Sequence, residues 1–224
     1  MSHFKPDFSS YFFPDRCLFC ESETSEELSD YRLICNDCSN LFQSLSSAQL
    51  EHYHQVYMQN HFERSIIAFQ FDELSQKLLH FVKYHRGIQL ARHMGKLIYH
   101  YQSHQFDQYD AIIPCPLHPR KFREREFNQA CEIAYGLAEQ LAIPVDTQSL
   151  QRNRYTQSQT TLNKTQRLEN LENAFDFVSN PSYRHILILD DVITTGATLN
   201  TIASCIKSVA PDILLTAVSF ASPV

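Results

Sequence analysis

The stretch ILILDDVITTGATL, residues 186 to 199, decides the fold. Ile186 to Leu189 form an unbroken apolar run, the pattern of a strand covered on both faces. Asp190 and Asp191 follow, then Val192, Ile193 and a hydroxyl-rich turn of Thr194, Thr195, Gly196, Ala197 and Thr198. Gly196 is one of only four glycines in 224 residues, so its place here needs a reason. Immediately after it, TLNTIASCIKSVA resumes the 3–4 apolar spacing of a helix. The acids and the turn therefore lie between the carboxyl end of a strand and the amino end of a helix.

Working outward, the same alternation repeats. SIIAFQF, DAIIPCP, RHILILD and ILLTAVSFA read as strands. LSQKLLHFVKYHRG, IQLARHMGKLIYHYQ and NQACEIAYGLAEQLAI carry helical periodicity, the first ending at Gly87. The pattern predicts an α/β fold with a mainly parallel sheet, whose ligands gather at the carboxyl ends of the strands. Free backbone N–H groups and the helix dipole at that point favour a phosphate. Gly196 allows close backbone approach, and Thr194, Thr195 and Thr198 add hydroxyl donors. Two adjacent carboxylates suit ribose hydroxyls, or a cation bridging to the ligand. A sugar phosphate with free 2- and 3-hydroxyls carries all of these groups.

Composition excludes several classes. An apolar fraction of 43% and a charged fraction of 20% belong to a globular chain, not a disordered or fibrous one. No run approaches the ~18 uninterrupted apolar residues of a spanning helix, so no membrane insertion is expected. The N-terminus lacks the pattern of a secretory signal, and the expected address is the cytoplasm. The net charge of −6 argues against a globally basic nucleic-acid coat. Residues 116 to 167 nevertheless carry eight Lys or Arg against five acids, a basic zone on an acidic protein.

Seven cysteines are present, and four are spaced for a metal. Cys17-Leu-Phe-Cys20 and Cys35-Asn-Asp-Cys38 form two C-x-x-C knuckles, which together supply a closed tetrahedral S4 site for structural Zn2+. A segment this short folds on the free energy of metal binding. QSLSSAQLEHYHQVYMQNHF shows no clear periodicity and reads as a linker. The expected domains are residues 1–50, a zinc-finger module with linker, and 51–224. His52 and His54 read as surface residues, and Cys115, Cys131 and Cys205 as buried small hydrophobes.

LILDDVITTGAT resembles the phosphoribosyl-pyrophosphate (PRPP) binding motif of type I phosphoribosyltransferases. Three further stretches resemble the ComF family, competence-associated proteins with a zinc finger ahead of a phosphoribosyltransferase-like domain. They are the basic segment IPCPLHPRKFREREFNQA, the four-cysteine finger, and TQSQTTLNKTQRLENLENAF with its spaced Thr156, Gln159, Leu162, Arg167, Asn170, Ala174 and Phe175. The resemblance implies a type I phosphoribosyltransferase-like parallel sheet flanked by helices. It implies a 5-phosphate in the loop Thr194–Thr198, with Val192 also lining the PRPP site, and ribose hydroxyls on Asp190 and Asp191, the residues of catalysis. It also implies a pyrophosphate, with Mg2+, on Leu117–Arg123, chiefly Arg120 and Lys121. Lys83 and Tyr84 match a recurring pair of the family near the pocket. Arg152, Arg154 and Lys164 read either as a closing lid or as a solvated connection. Where the family commonly has Arg-Glu-Arg-Gly-Phe-Asn-Gln, Glu126 replaces the glycine, a strained choice if the position requires a positive φ.

Three functions remain open at this point. One is transfer of phosphoribosyl to an unidentified acceptor. Another is single-stranded DNA handling with other competence proteins, the basic zone and knuckles gripping backbone while Phe12, Phe13, Phe19 and Tyr31 stack on bases. The last is sensing of PRPP without turnover.

Overall fold

The computed structural model describes residues 16–22, 34–58, 61–84, 87–153 and 174–223. The chain divides into two compact units, Met1–Gln43 and Ser44–Val224. The second is built on four parallel strands in the order β1 (Arg64–Gln70), β6 (Leu214–Ser222), β5 (His185–Val192) and β2 (Ala111–Pro114). Ile186 to Leu189 and Leu215 to Ser222 are buried without interruption, because helices cover both faces of a parallel sheet. The expected α/β architecture is the one observed.

Both edges of the sheet are occupied. Ile112 donates its N–H to Pro144 O (2.9 Å) and accepts from Asp146 N–H (2.8 Å), while Ser44 bridges Phe69 on the opposite edge. The helices are α1 (Ser47–Tyr57), α2 (Glu73–Tyr84), α3 (Ile88–Gln102), α4 (Pro119–Arg125), α5 (Gln129–Leu141) and α6 (Ala197–Val209). The apolar stripes of α2, α3, α5 and α6 face inward as the periodicity predicts, with Leu78 and Val82, Leu90 and Met94, Ile133 and Leu137, and Ile202 and Ile206 all buried. Helix α3 packs over β1 and β6, and α5 over β2 and β5. Where α3 and α5 cross, a Cβ on Gly95 or Gly136 would overlap the opposing backbone at Ile133 O or Arg92 O. None of the helices among the described residues is long and apolar enough to cross a membrane.

The linker reading of residues 43–62 is overturned. Most of that stretch is helix α1, held by a reciprocal cap in which Ser46 accepts from Gln49 N–H and the Gln49 side chain accepts from Ser46 N–H. Its polar sequence hides the helix because only Leu50 and Tyr53 are buried along it. His54 is half-buried rather than a surface residue, with Nδ1 3.0 Å from Ser65 Oγ. Cys115 is buried as expected, but Cys131 and Cys205 keep partial exposure.

A small antiparallel pair, β3 (Leu150–Arg152) and β4 (Phe175–Phe177), lies outside the main sheet and was not legible in the periodicity. Ala174 and Phe175 are buried there. Thr156, Gln159, Leu162, Arg167 and Asn170, the lid candidates Arg154 and Lys164, and the aromatics Phe12, Phe13 and Tyr31 lie outside the described residues.

Candidate functional site

At the carboxyl end of β5 each carboxylate turns back on the next amide. Asp190 Oδ1 accepts from Asp191 N–H and Asp191 Oδ1 accepts from Val192 N–H, both at 2.9 Å. Asp191 is buried and does not stand alone. Lys83, in the last turn of α2, places Nζ 2.7 Å from Asp191 Oδ2. Gln129 Nε2, on the first residue of α5, donates to the same oxygen at 3.4 Å. The recurring Lys83–Tyr84 pair thus contributes one residue to the aspartates, while Tyr84 is exposed.

The two carboxyls titrate apart. Burial alone would raise Asp191, yet the Lys83 ammonium beside it holds it below its ordinary value. Desolvation, and then the negative charge of Asp191, push Asp190 up to about 8. Although Asp190 retains some exposed surface, its carboxyl sits where the thiol of Cys115 and the guanidinium of Arg152 also reach. Burial, followed by these two acids, raises the Cys115 thiol well above its usual value. Arg152, on β3, stacks its guanidinium 5.4 Å from the Phe175 ring centroid. It is a half-buried neighbour of Asp190 rather than part of a solvated connection.

Beyond Val192 the chain leaves the sheet through Ile193, whose N–H donates to Ala221 O at 3.1 Å. Thr194 and Thr195 are exposed, whereas Ala197 and Thr198 are partly so. Gly196 is the N-cap of α6 with φ +67° and offers no side-chain cap to the first helical turn. A Cβ there would stand 2.7 Å from Met58 Sδ and 2.9 Å from Tyr57 O. Glycine is therefore required twice, by the left-handed backbone and by the end of α1 packed against the loop. The sequence reading missed α1 as a wall of this loop.

Arg120 and Lys121 lie on α4, which follows β2, the neighbour of β5 in the sheet. His118 caps this helix, its Nδ1 accepting from Arg120 N–H at 3.1 Å, and Pro119 occupies the first turn. Partial desolvation, then the charges of Arg152, Arg120 and Arg123, hold the His118 imidazole below its ordinary value. Helix α4 buries no side chain, and Arg120, Phe122 and Arg123 are exposed.

Glu126 ends α4 in the left-handed conformation, φ +67°, donating its N–H to Phe122 O at 2.6 Å. The position does need a positive φ, so a glycine there relieves a strain that Glu126 carries. Left-handed backbone costs a non-glycine residue ~1–2 kcal/mol, partly offset by the greater chain entropy of unfolded glycine. Glu126→Gly is expected to stabilise the protein by ~0.5–1 kcal/mol, read as a higher urea midpoint at unchanged slope.

In the first unit, the sulfurs of Cys17, Cys20, Cys35 and Cys38 all lie within 4.8 Å of one another. Cys20 Sγ and Cys35 Sγ are 3.6 Å apart. Four thiolates ~2.3 Å from a tetrahedral ion stand roughly 3.8 Å from each other, so the cluster fits a metal. Cys38 N–H points at Cys35 Sγ (3.4 Å), and hydrogen bonds from Ser22 lower Cys20 to about 6. Phe19 packs edge-on to the buried Phe42, with ring centroids 6.2 Å apart, rather than standing free for a base.

A parallel sheet whose central strand ends in two acids and a glycine loop, one strand away from a basic segment, defines a phosphoribosyltransferase-like domain. The model of the phosphoribosyl transferase domain family matches residues 128–224. Competence protein F of Haemophilus influenzae is 27% identical over 214 residues, which cover 88% of this chain and 92% of that protein. DNA utilization protein YhgH of Escherichia coli O157:H7 is 33% identical over 131 residues, 56% of this chain and 58% of its own length. Competence protein ComFC of Bacillus subtilis is 37% identical over 101 residues, 45% of this chain and 39% of that one. The chain is similar to proteins of the ComF family.

Proposed function

We propose that this protein binds PRPP and transfers its phosphoribosyl group to an acceptor during DNA uptake or use. The observation carrying this reading is the pair Asp190–Asp191 beside an uncapped helix start at Gly196, on the carboxyl end of one parallel strand. Amides of the first turn of α6, with Thr194, Thr195 and Thr198, hold the 5-phosphate. Asp190 and Asp191 take the ribose hydroxyls, and Arg120 and Lys121 take the pyrophosphate, whose oxygens also hold Mg2+. These residues act by positioning and by neutralising charge as pyrophosphate leaves C1 of the ribose. The relatives' names, competence protein and DNA utilization protein, support the link to DNA. The four cysteines hold Zn2+ as a closed structural site, and the proposed address is the cytoplasm, where thiols stay reduced.

The test is calorimetric titration with PRPP and Mg2+. The wild type binds, and Asp190→Asn with Asp191→Asn weakens binding at least ~100-fold by removing the charged acceptor at Asp191 and the carboxyl of Asp190 beside it. No binding by folded wild type rejects the reading. Released pyrophosphate separates turnover from sensing.

The same carboxyls set a pH dependence. Below the unfolded value near 4 Asp190 is protonated in both states. Between ~4 and ~8 the folded chain keeps a proton that the unfolded chain gives up, so this contribution to stability is lost as pH rises through that window. Asp190→Asn is therefore expected to raise the thermal midpoint at pH 8 while leaving it unchanged at pH 4.

A second reading is favoured by α4. This short helix buries nothing and shows Phe122 at 49% exposure between exposed Arg120 and Arg123. Such an arrangement suits a base stacked on the ring with phosphates on the cations. Binding to a single-stranded oligonucleotide that falls steeply with salt supports it, and Phe122→Ala separates stacking from charge.

A further inference from the structure

The function assigned to the loop leaves α1 without a role, yet α1 makes close tertiary contacts with the loop. Tyr53 is 1% exposed, and its hydroxyl donates to Thr194 O at 2.9 Å, across 141 residues of sequence. One turn further on, Tyr57 O accepts from Asn200 Nδ2 at 2.6 Å. Met58 Sδ and Tyr57 O occupy the space that a side chain at Gly196 would need. Past the end of α1, His61 Nε2 meets Ser204 Oγ on α6 at 3.0 Å. Helix α1 is itself anchored on the sheet, through Tyr53 and Leu50 in the core and His54 Nδ1 against Ser65 Oγ on β1.

Tyr53 and Tyr57 both bond to residues 194–200, and among the bonds described Tyr53 is the residue that hydrogen-bonds the Thr194 carbonyl. Thr194 and Thr195 are exposed, and the loop's one glycine sits in a conformation that ordinary residues avoid. A phosphate cradle made of backbone amides works only if the peptide planes are already aimed, because reorganising them on binding weakens the ligand. The Thr194 carbonyl belongs to the peptide that carries the Thr195 N–H, so fixing that oxygen fixes the direction of an amide in the cradle.

We infer that Tyr53 is a positioning residue for the 5-phosphate site, its buried hydroxyl aiming the 194–195 peptide from outside the pocket. This rests on the reading of Thr194–Thr198 as the phosphate loop. Tyr53 does not touch the ligand, and its contribution passes through the Thr194 carbonyl.

The experiment compares Tyr53→Phe with wild type and with Tyr57→Phe, whose partly exposed ring shares the helix and whose backbone carbonyl makes the bond to Asn200. Ribose 5-phosphate and inorganic pyrophosphate are titrated separately by calorimetry on the full zinc-loaded chain, and the thermal midpoint of each ligand-free protein is recorded. Loss of one buried hydrogen bond that orders the site is expected to weaken ribose 5-phosphate about tenfold in Tyr53→Phe. Its pyrophosphate affinity stays within about twofold of wild type, and Tyr57→Phe changes neither. Unchanged ribose 5-phosphate affinity in Tyr53→Phe overturns the inference. Parallel weakening of both ligands with a lowered thermal midpoint also overturns it, since Tyr53 would then be merely structural. If wild type fails to bind ribose 5-phosphate at all, the reading of the loop falls first, and the positioning role with it.

Discussion

Gly136→Ala is expected to destabilise the protein by about 3 kcal/mol or more, although alanine is the better helix former. In an exposed helix the same change would stabilise by roughly 1 kcal/mol. Here the added methyl would overlap Arg92 O, and the backbone of a packed helix cannot turn aside as a side chain does. Helices α3 and α5 would have to separate, opening a crossing flanked by the Arg92–Glu132 and Lys96–Glu139 ion pairs at 2.8 and 3.3 Å. At ~2–4 °C per kcal/mol the thermal midpoint should fall by roughly 6–12 °C. Gly95→Ala meets Ile133 O at the same crossing and should behave alike. The double variant should cost less than the sum of the singles, because the helices need separate only once. Additive costs in scanning calorimetry would show that the two glycines relieve independent clashes.

Removing the metal carries the second large effect. Metal analysis of the purified protein should return one zinc per chain, and chelation should unfold the first unit while leaving the parallel sheet intact. Structural zinc contributes ~10–16 kcal/mol to folding in small finger peptides, far more than so few buried side chains supply. In Met1–Gln43 the buried apolar residues among those described are Cys17, Ile34, Cys38 and Phe42, and two of those four are themselves candidate ligands. Cys38→Ser should therefore lose the zinc and become protease-sensitive within residues 1–43, with a resistant fragment beginning near Ser44. Cys115→Ser should keep its zinc, because Cys115 lies at the end of β2, outside the cluster. Retention of full protease resistance after chelation would refute a metal-dependent fold.

Much of this molecule is legible in its sequence where the signal is local. Ile186–Leu189 must be a covered strand, since four consecutive apolar residues expose one face or the other unless both are packed. The cysteine knuckles place two sulfurs on each turn by spacing alone. The helical stripes of α2, α3, α5 and α6 follow from 3.6-residue periodicity. The Asp190–Asp191 pair and its glycine loop announce themselves because all the groups come from one contiguous stretch. Helix α1 was missed for the converse reason. Its stripe is thin and polar, and what stabilises it is the Ser46–Gln49 cap and a docking partner far along the chain.

The tertiary structure alone decided the rest. Lys83 is a helix-end lysine until folding sets it 2.7 Å from Asp191, and only then do the two adjacent acids differ in charge. Gly95 and Gly136 look like weak points in helices until the backbones meet at them. Glu126 is an ordinary acidic residue until the turn after α4 forces it to φ +67°. Gly196, with which the sequence argument began, is needed both for its own backbone angle and because α1 fills the space beside it. Sequence fixes which groups lie near one another along the chain, by bond geometry and periodicity. Desolvation, ion pairing and close packing depend on distances through space, which exist only once the chain has folded.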